Sequence, residues 1–372
     1  MKTLVGVIVI VLAATPSCKR APKRQPGPPP TPVASPIADA AAPPSALTVV
    51  GKLEGAKRAL FCGDRVLVVG DGGTVKLWQP ASNQIVERSL RGEVVACGAL
   101  GHVLTRNDQG VEVHRLLEGR EACVGEVAAA LSPDGRHLAT AGARILLEAL
   151  EASPDGGSSP QDPKGPCVAM QLSGYPKPTL TSFKSPKPNL GDRILFDPES
   201  TMLAVRGGEL GVLWEIATPT QPSVFKARGD GPVAVRKGRL AVVTETGAIS
   251  VSGAGTPVDL ATTGKVTALM LTPGADAVVA GFEDGSVARH VLATKVATVL
   301  GNLGEPVTTL ALATDGGVAA AGATRAAFWS VDAKELARVQ GDQVAVAADA
   351  RSVVTVAGGT AQVSTVSATS SR

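Results

Sequence analysis

Residues 266–290 read VTALML (266–271), TPGAD (272–276), AVVAG (277–281), FEDG (282–285) and SVARH (286–290). Three runs rich in valine and alanine are separated by two segments that contain glycine, aspartate or proline. Asp-Gly and Pro-Gly steps supply the backbone angles that tight hairpins need, and β-branched residues favour strands. The stretch therefore predicts three antiparallel strands joined by hairpins.

The same pattern recurs along the chain, and three tryptophans set its period. Trp78, Trp214 and Trp329 each end a short strand-like run. In the other units the equivalent position is filled by His114, Glu148, Ser252, His290 and Ser364. Successive positions are 34–39 residues apart, except for one step of 66 residues that contains an insertion. Such units of about forty residues predict an all-β fold, a β-propeller of four-stranded blades.

The number of units and the incomplete last unit indicate how the propeller closes. A glycine opens each unit, 21–26 residues before the tryptophan position. Eight units predict eight blades, and seven remain the alternative if one unit is absorbed elsewhere. The last unit lacks a fourth run, which Leu47–Val50 at the front of the domain could supply. An N-terminal strand would then close the ring and cover a free sheet edge.

At this point the units resemble the WD repeat, which runs from a Gly-His pair to a Trp-Asp pair. The resemblance covers residues 47–372 and implies a propeller whose blades are locked by hydrogen bonds among those residues. No unit keeps either pair, and Trp214-Glu215 comes nearest to the second. Packing and strand pairing must therefore supply more of the stability here.

The first 18 residues are typical of an export signal. Lys2 precedes an apolar run, Leu4–Ala14, which is too short to span a bilayer core of about 30 Å as a helix. The end of this segment resembles the lipobox of bacterial lipoproteins and implies lipidation of Cys18, although Thr15 and Pro16 depart from the usual residues. Ordinary signal cleavage, giving a secreted or periplasmic soluble protein, is the alternative.

Residues 19–46 are expected to form a disordered, proline-rich stalk. Nine prolines lie between residues 21 and 46, with little that can pack into a core. The net charge of +3 comes from the basic residues of the first 46 positions, so the remainder is nearly neutral. This balance excludes nucleic acid as an expected partner. Lys19, in place of an aspartate after the cysteine, slightly favours the outer membrane by analogy.

Two surfaces are candidates for binding a protein partner. Five of the eight residues that follow the opening glycines are acidic: Glu93, Glu126, Asp192, Glu305 and Asp342. A carboxylate there should turn outward, away from a turn aspartate, and form an acidic rim for a basic partner. Solvated loop charge is the alternative interpretation. Loop insertions near 151–190 form the second surface, with Tyr175, Lys177, Lys184 and Lys187 in the loop from Ser173 to Asn189.

Four cysteines follow Cys18, and none belongs to a Cys-x-x-Cys pair. Cys62 and Cys97 are about one repeat apart, so they are candidates for a disulfide in an exported protein, as are Cys123 and Cys167. Free buried thiols are the alternative. No catalytic motif, metal site or cofactor is expected.

The sequence therefore favours a membrane-anchored, non-catalytic protein-interaction platform of the bacterial cell envelope, expected to be a monomer. Two alternatives remain open. One is a propeller enzyme or small-ligand binder that uses the central channel. The other is an envelope assembly factor.

Overall fold

A computed structural model of the chain describes residues 47–108, 110–117, 120–124, 128–141, 144–150, 183–184, 193–207, 210–217, 223–226, 231–253 and 256–366. Within this part of the chain the fold is an all-β propeller of four-stranded sheets, as the repeat pattern predicts. In each sheet the strands are antiparallel and follow one another in chain order, except that the first of the described strands joins the last sheet.

The strands of the first four sheets lie in the N-terminal half of the propeller. Sheet 1 contains β2 (Arg58–Cys62), β3 (Arg65–Val69), β4 (Thr74–Gln79) and β5 (Gln84–Ser89). Sheet 2 contains β6 (Glu93–Cys97), β7 (His102–Asn107), β8 (Gly110–Arg115) and β9 (Arg120–Val124). Sheet 3 contains β10 (Ala128–Leu131), β11 (His137–Ala141), β12 (Arg144–Ala149) and β13 (Phe183–Lys184). Sheet 4 contains β14 (Arg193–Phe196), β15 (Met202–Gly207), β16 (Leu210–Glu215) and β17 (Ser223–Lys226).

The remaining strands form the other four sheets. Sheet 5 contains β18 (Val233–Arg236), β19 (Arg239–Val243), β20 (Ile249–Gly253) and β21 (Val258–Leu260). Sheet 6 contains β22 (Val266–Leu271), β23 (Ala277–Phe282), β24 (Ser286–Val291) and β25 (Ala297–Asn302). Sheet 7 contains β26 (Thr309–Leu312), β27 (Val318–Ala321), β28 (Arg325–Trp329) and β29 (Glu335–Gln340). Sheet 8 contains β30 (Gln343–Val346), β31 (Ser352–Ala357), β32 (Thr360–Val366) and β1 (Leu47–Glu54).

The tryptophan position of every unit lies in the third strand of its sheet. The residue paired with it on the second strand also occupies a corresponding position from unit to unit. Trp78 is paired with Val66, and Trp329 is paired with Val318. His114 and Ser364 occupy the same place opposite other valines. The register is therefore kept even where the tryptophan has been replaced.

The core lies between successive sheets. A sheet covered on both faces has no solvent side, so its inner strands need not alternate apolar and polar residues. All six residues of β23 and all four of β27 are buried. Apart from Phe282, these two strands consist of valine, alanine and one glycine, and such small side chains let neighbouring sheets approach closely. This packing agrees with the aromatic content of only 3%.

The innermost strands form a ring. Contacts run in chain order from β2 through β6, β10, β14, β18, β22 and β26 to β30, and β30 contacts β2. At the junction between β30 and β2, the side chain of Gln343 provides the hydrogen-bond acceptor for a backbone amide of β2. Its Oε1 accepts a hydrogen bond from the amide of Ala59 at 3.0 Å. At the outer edge of sheet 8, β1 is paired with β32 from Leu47 opposite Val366 to Glu54 opposite Thr360.

The insertion in the third unit differs from the sequence-based expectation of an uninterrupted loop. Phe183 and Lys184 pair with Ile145 and Arg144 and so form β13, the outermost strand of sheet 3. A two-residue strand gives almost no periodic signal, and its Pro-Lys-Pro flanks are typical of a loop. Tyr175, Lys177 and Lys187 lie outside the described residues.

Candidate functional site

The antiparallel topology gives the ring two faces. We call the side with the turns between first and second strands, and between third and fourth strands, the lower face. The upper face carries the turns between second and third strands and the connections into each innermost strand. The residues after the opening glycines lie on the upper face.

Glu305 on the upper face binds a turn of its own sheet. Its Oε1 accepts hydrogen bonds from the amides of Thr324 at 2.8 Å and Arg325 at 2.7 Å, and its Oε2 accepts one from Thr324 Oγ1 at 2.8 Å. Burial acts to raise the pKa of Glu305, but these bonds and the charge of Arg325 outweigh it and hold the pKa below its usual value. The carboxylate is thus held against the protein.

Three other units make an equivalent contact, with chemistry matched to the turn. Asp342 accepts a hydrogen bond from the amide of Gly358 at 2.9 Å. Where the turn itself carries an acid, the partner is a lysine. Lys265 Nζ contacts Glu283 at 2.8 Å, and Lys57 forms an ion pair with Asp71. Each pair fastens the entry to a sheet to its second hairpin.

The prediction that these acids turn outward therefore needs correction for Glu305. It assumed a repelling carboxylate in the turn, but the turn of sheet 7 offers backbone N–H groups instead. Glu93 is exposed, and Arg58 Nη1 lies 3.8 Å from its Oε1. Glu126 and Asp192 lie outside the described residues. The acidic rim stays a prediction, and Glu93 and Asp342 are its exposed members in the described chain.

The cysteines at the ends of two adjacent innermost strands are brought together. Cys62 ends β2 and Cys97 ends β6, and a disulfide joins them with their Cα atoms 5.3 Å apart. This is the pairing that their spacing suggested. The backbone of Cys123 lies in β9, while Cys167 and Cys18 fall outside the described residues, so the second bridge and the lipidation remain predictions.

The lower face continues this link from sheet to sheet through its turns. The amide of Ala99 donates to the carbonyl of Pro133 at 2.9 Å, and the amide of Asp134 donates to Ser200 Oγ at 3.1 Å. Arg236 Nε donates to Glu199 at 3.1 Å, and its Nη1 donates to the carbonyl of Leu271 at 3.1 Å. Asp315 and Arg351 form an ion pair between sheets 7 and 8. The turns of this face therefore hold one another in place.

Two leucines stand exposed on this linked face. Leu100 lies in the turn between β6 and β7 and is 44% exposed, and Leu117 follows β8 and is 45% exposed. Leu117 packs over Gly101, the residue after Leu100. Val331, 49% exposed, packs over Gly316 in the same way in sheet 7. The sequence signal for this surface was an apolar residue inside a glycine-flanked turn, Gly98-Ala-Leu-Gly101. In the sequence such turns served only to place hairpins, and the side chains that they expose were missed.

No protein-family model matches the chain, and no curated protein matches it either. Among solved structures, the chain is similar to the crystal structure of the computationally designed Ika8 protein. The TM-score is 0.58 and the sequence identity is 18%, and the match covers 85% of this chain and 99% of the designed one. At this identity the likeness shows the propeller fold alone.

The centre of the ring contains a cavity of about 520 Å³. It is lined by innermost strands of sheets 3 to 7, together with Arg106 of β7. Within the described residues, no cluster of three or more histidine, cysteine or acidic side chains is placed to hold a metal ion. Those residues also include no helix long and apolar enough to cross a membrane.

Proposed function

We propose that the chain is a membrane-anchored, non-catalytic protein-interaction platform of the bacterial cell envelope, and that its lower face binds the partner. The observation that carries this proposal is the pair Leu100 and Leu117, exposed on a face whose turns are linked from sheet to sheet. Single exposed apolar side chains are ordinary, but adjacent ones that form a patch on an ordered surface are typical of binding sites, and Leu117 packs over Gly101 beside Leu100.

The surroundings of the leucine pair support this choice. Protein interfaces commonly have an apolar centre and a polar rim. Asp134 and the exposed Arg136 lie in the neighbouring turn of sheet 3, beside the turn that contains Leu100. The disulfide and the turn contacts already hold this surface in one conformation. Binding of a partner would therefore cost little conformational entropy in this chain.

The architecture of the platform is the second part of the proposal. We infer that the ring is a degenerate WD-type propeller of eight blades, closed by β1. The contacts of the innermost strands, which return from β30 to β2, support the count. The upper-face pairs of Glu305, Asp342 and Lys265 take the place of the hydrogen bonds that the WD resemblance implied and that its lost Gly-His pairs cannot make.

The anchor is the third part. Cys18 is proposed as the lipidated residue, residues 19–46 as the spacer, and the outer membrane as the location. In a fractionation of cells that make the chain, the unchanged protein should be in the membrane fraction and Cys18→Ala in the soluble fraction. A Cys18→Ala chain that stays with membranes would favour another anchor, and an unchanged chain in the soluble fraction would favour the secreted or periplasmic alternative.

The partner surface is tested by in-cell crosslinking and quantitative mass spectrometry. The variant Leu100→Glu with Leu117→Glu places charge at the centre of the proposed surface. Val49→Glu with Val299→Glu is the matched control, since these exposed valines lie within the outer strands of sheets 8 and 6 rather than in the turns of the lower face. Proteins enriched with the unchanged chain should be lost with the leucine variant and retained with the control. Equal enrichment by both variants would exclude the leucine pair.

The alternatives predict other outcomes of the same experiment. An enriched set dominated by proteins that insert outer-membrane components would favour an envelope assembly factor. Loss of partners on charge reversal of the exposed Glu93 and Asp342, with no effect of the leucine variant, would favour the acidic rim. No cofactor is part of the proposal.

A further inference from the structure

The central cavity has the size of a small-molecule site. Its volume of about 520 Å³ falls within the range of roughly 300–1,000 Å³ typical of ligand pockets. The residues that line it come from five innermost strands and one second strand. They are Arg106, Ala129, Ile194, Leu195, Pro232, Val233, Thr267, Ala268, Leu269, Thr308, Thr309 and Leu310.

The middle of the wall is apolar. Ile194 and Leu195 of β14, Val233 of β18 and Leu269 of β22 are each partly exposed, which places apolar surface in contact with solvent inside the ring. Burying this surface against the apolar body of a ligand would be favourable at about 25 cal/mol per Å². The wall therefore suits a ligand with a hydrocarbon or aromatic body.

Arg106 supplies the charge. Among the described residues that line the cavity, its guanidinium is the charged side chain. Arg106 is exposed, and although it is paired in register with Glu93 across β6 and β7, the two side chains form no ion pair within the described structure. Arg58, the nearer partner of Glu93, donates to the carbonyl of Val94 at 2.9 Å. A guanidinium stays protonated at any physiological pH and pairs well with a carboxylate.

The threonines define the other side of the cavity. Thr267 Oγ1 donates to the carbonyl of Val307 at 2.6 Å, and Thr308 Oγ1 donates to that of Ala321 at 3.2 Å. Because each hydroxyl already donates its proton to a backbone carbonyl, it can act toward a ligand in the cavity only as a hydrogen-bond acceptor. Apolar walls thus separate a cationic end at sheet 2 from a hydroxyl-bearing end at sheets 6 and 7.

We propose that the central cavity binds a small organic carboxylate, with its anionic group on Arg106 and its apolar body against Ile194, Leu195, Val233 and Leu269. This site is separate from the protein-binding surface on the lower face. The two proposals can therefore fail independently.

Calorimetric titration of the purified full chain tests the site with two carboxylates, octanoate and 2-naphthoate. Octan-1-ol and octylammonium are the neutral and cationic analogues of the first. We expect saturable binding of at least one carboxylate at one site per chain. Arg106→Gln should weaken it on the order of tenfold or more, as expected for loss of a charged hydrogen bond. Arg106→Lys should restore part of the affinity.

Two further variants separate the cavity from surface binding. Leu269→Trp should abolish carboxylate binding by filling the cavity, and Arg88→Gln on β5 should leave it unchanged. Thermal unfolding of each variant shows that it is folded. The absence of saturable binding of both carboxylates overturns the proposal. So does binding that is the same in Arg106→Gln and Leu269→Trp as in the unchanged chain, or octylammonium binding tighter than octanoate.

Discussion

The indole ring of Trp329 lies against Gly301, across the junction between sheet 7 and the outer strand of sheet 6. A Cβ atom at Gly301 would stand 2.7 Å from Cε2 and 2.9 Å from Cζ2 of the ring. The same relationship recurs where β1 passes Trp78, since a Cβ atom at Gly51 would stand 2.7 Å from its Cζ2. Trp78 and Trp329 therefore each need a glycine on the outer strand of the preceding sheet.

Gly301→Ala should destabilise the protein by about 1–3 kcal/mol, because the methyl group has no room beneath the ring. The free energy of urea unfolding measures the effect. Gly264→Ala is the control, since a Cβ atom there meets Phe282 at an ordinary 3.4 Å. Trp329→Phe should recover part of the loss when combined with Gly301→Ala. Equal unfolding free energies for Gly301→Ala and Gly264→Ala would contradict the proposed contact.

Gln343→Ala should loosen the junction between β30 and β2. The change leaves the amide of Ala59, a residue that is 1% exposed, without the acceptor at 3.0 Å, at a cost of about 1–3 kcal/mol. Hydrogen exchange at the Ala59 amide should rise together with the loss of unfolding free energy. Gln84→Ala, at an exposed position of β5, should change neither quantity. Unchanged exchange at Ala59 would show that the side chain does not hold this junction.

Replacing Cys62 and Cys97 by alanine should lower the free energy of unfolding by about 2–4 kcal/mol, because the bridge restricts the unfolded chain. Unfolding in urea, with and without a reducing agent, checks this. The reducing agent should destabilise the unchanged chain and leave the double variant as it was. If the unchanged chain unfolds at the same urea concentration in both conditions, no bridge is present.

His290 should make the fold sensitive to mild acid. It is 3% exposed in the tryptophan position of sheet 6, and burial lowers its pKa below the ordinary value of 6.5. Below that pH the unfolded chain takes up a proton that the folded chain resists, so the free energy of unfolding falls as the pH falls. Comparison of His290→Phe with the unchanged chain between pH 7.5 and 5.5 tests this. The unchanged chain should lose more stability over that range; parallel curves would contradict the assignment.

The fold was predictable because the repeat carries its own register. Trp78, His114, Ser252 and Ser364 are chemically unlike, yet their spacing placed all of them on third strands. The site was less predictable, because it depends on contacts between turns that are distant from one another in the sequence. That Glu305 would meet N–H groups rather than an acid followed from the composition of a turn 19 residues away. In the sequence Leu100 and Leu117 resemble ordinary turn residues. Only the fold shows that their two turns lie side by side and form one apolar patch.

The pairing of Leu47 with Val366 has a mechanical consequence. The strand that holds sheet 8 together at its edge is also the first strand after the segment that leads to the N-terminus. A pull on the chain ahead of Leu47 is therefore applied to the end of the β1–β32 ladder, where the hydrogen bonds break one after another rather than together. The outer edge of sheet 8 is thus the place where the fold would begin to come apart under tension, while the disulfide and the linked turns of sheets 1 to 3 stay intact.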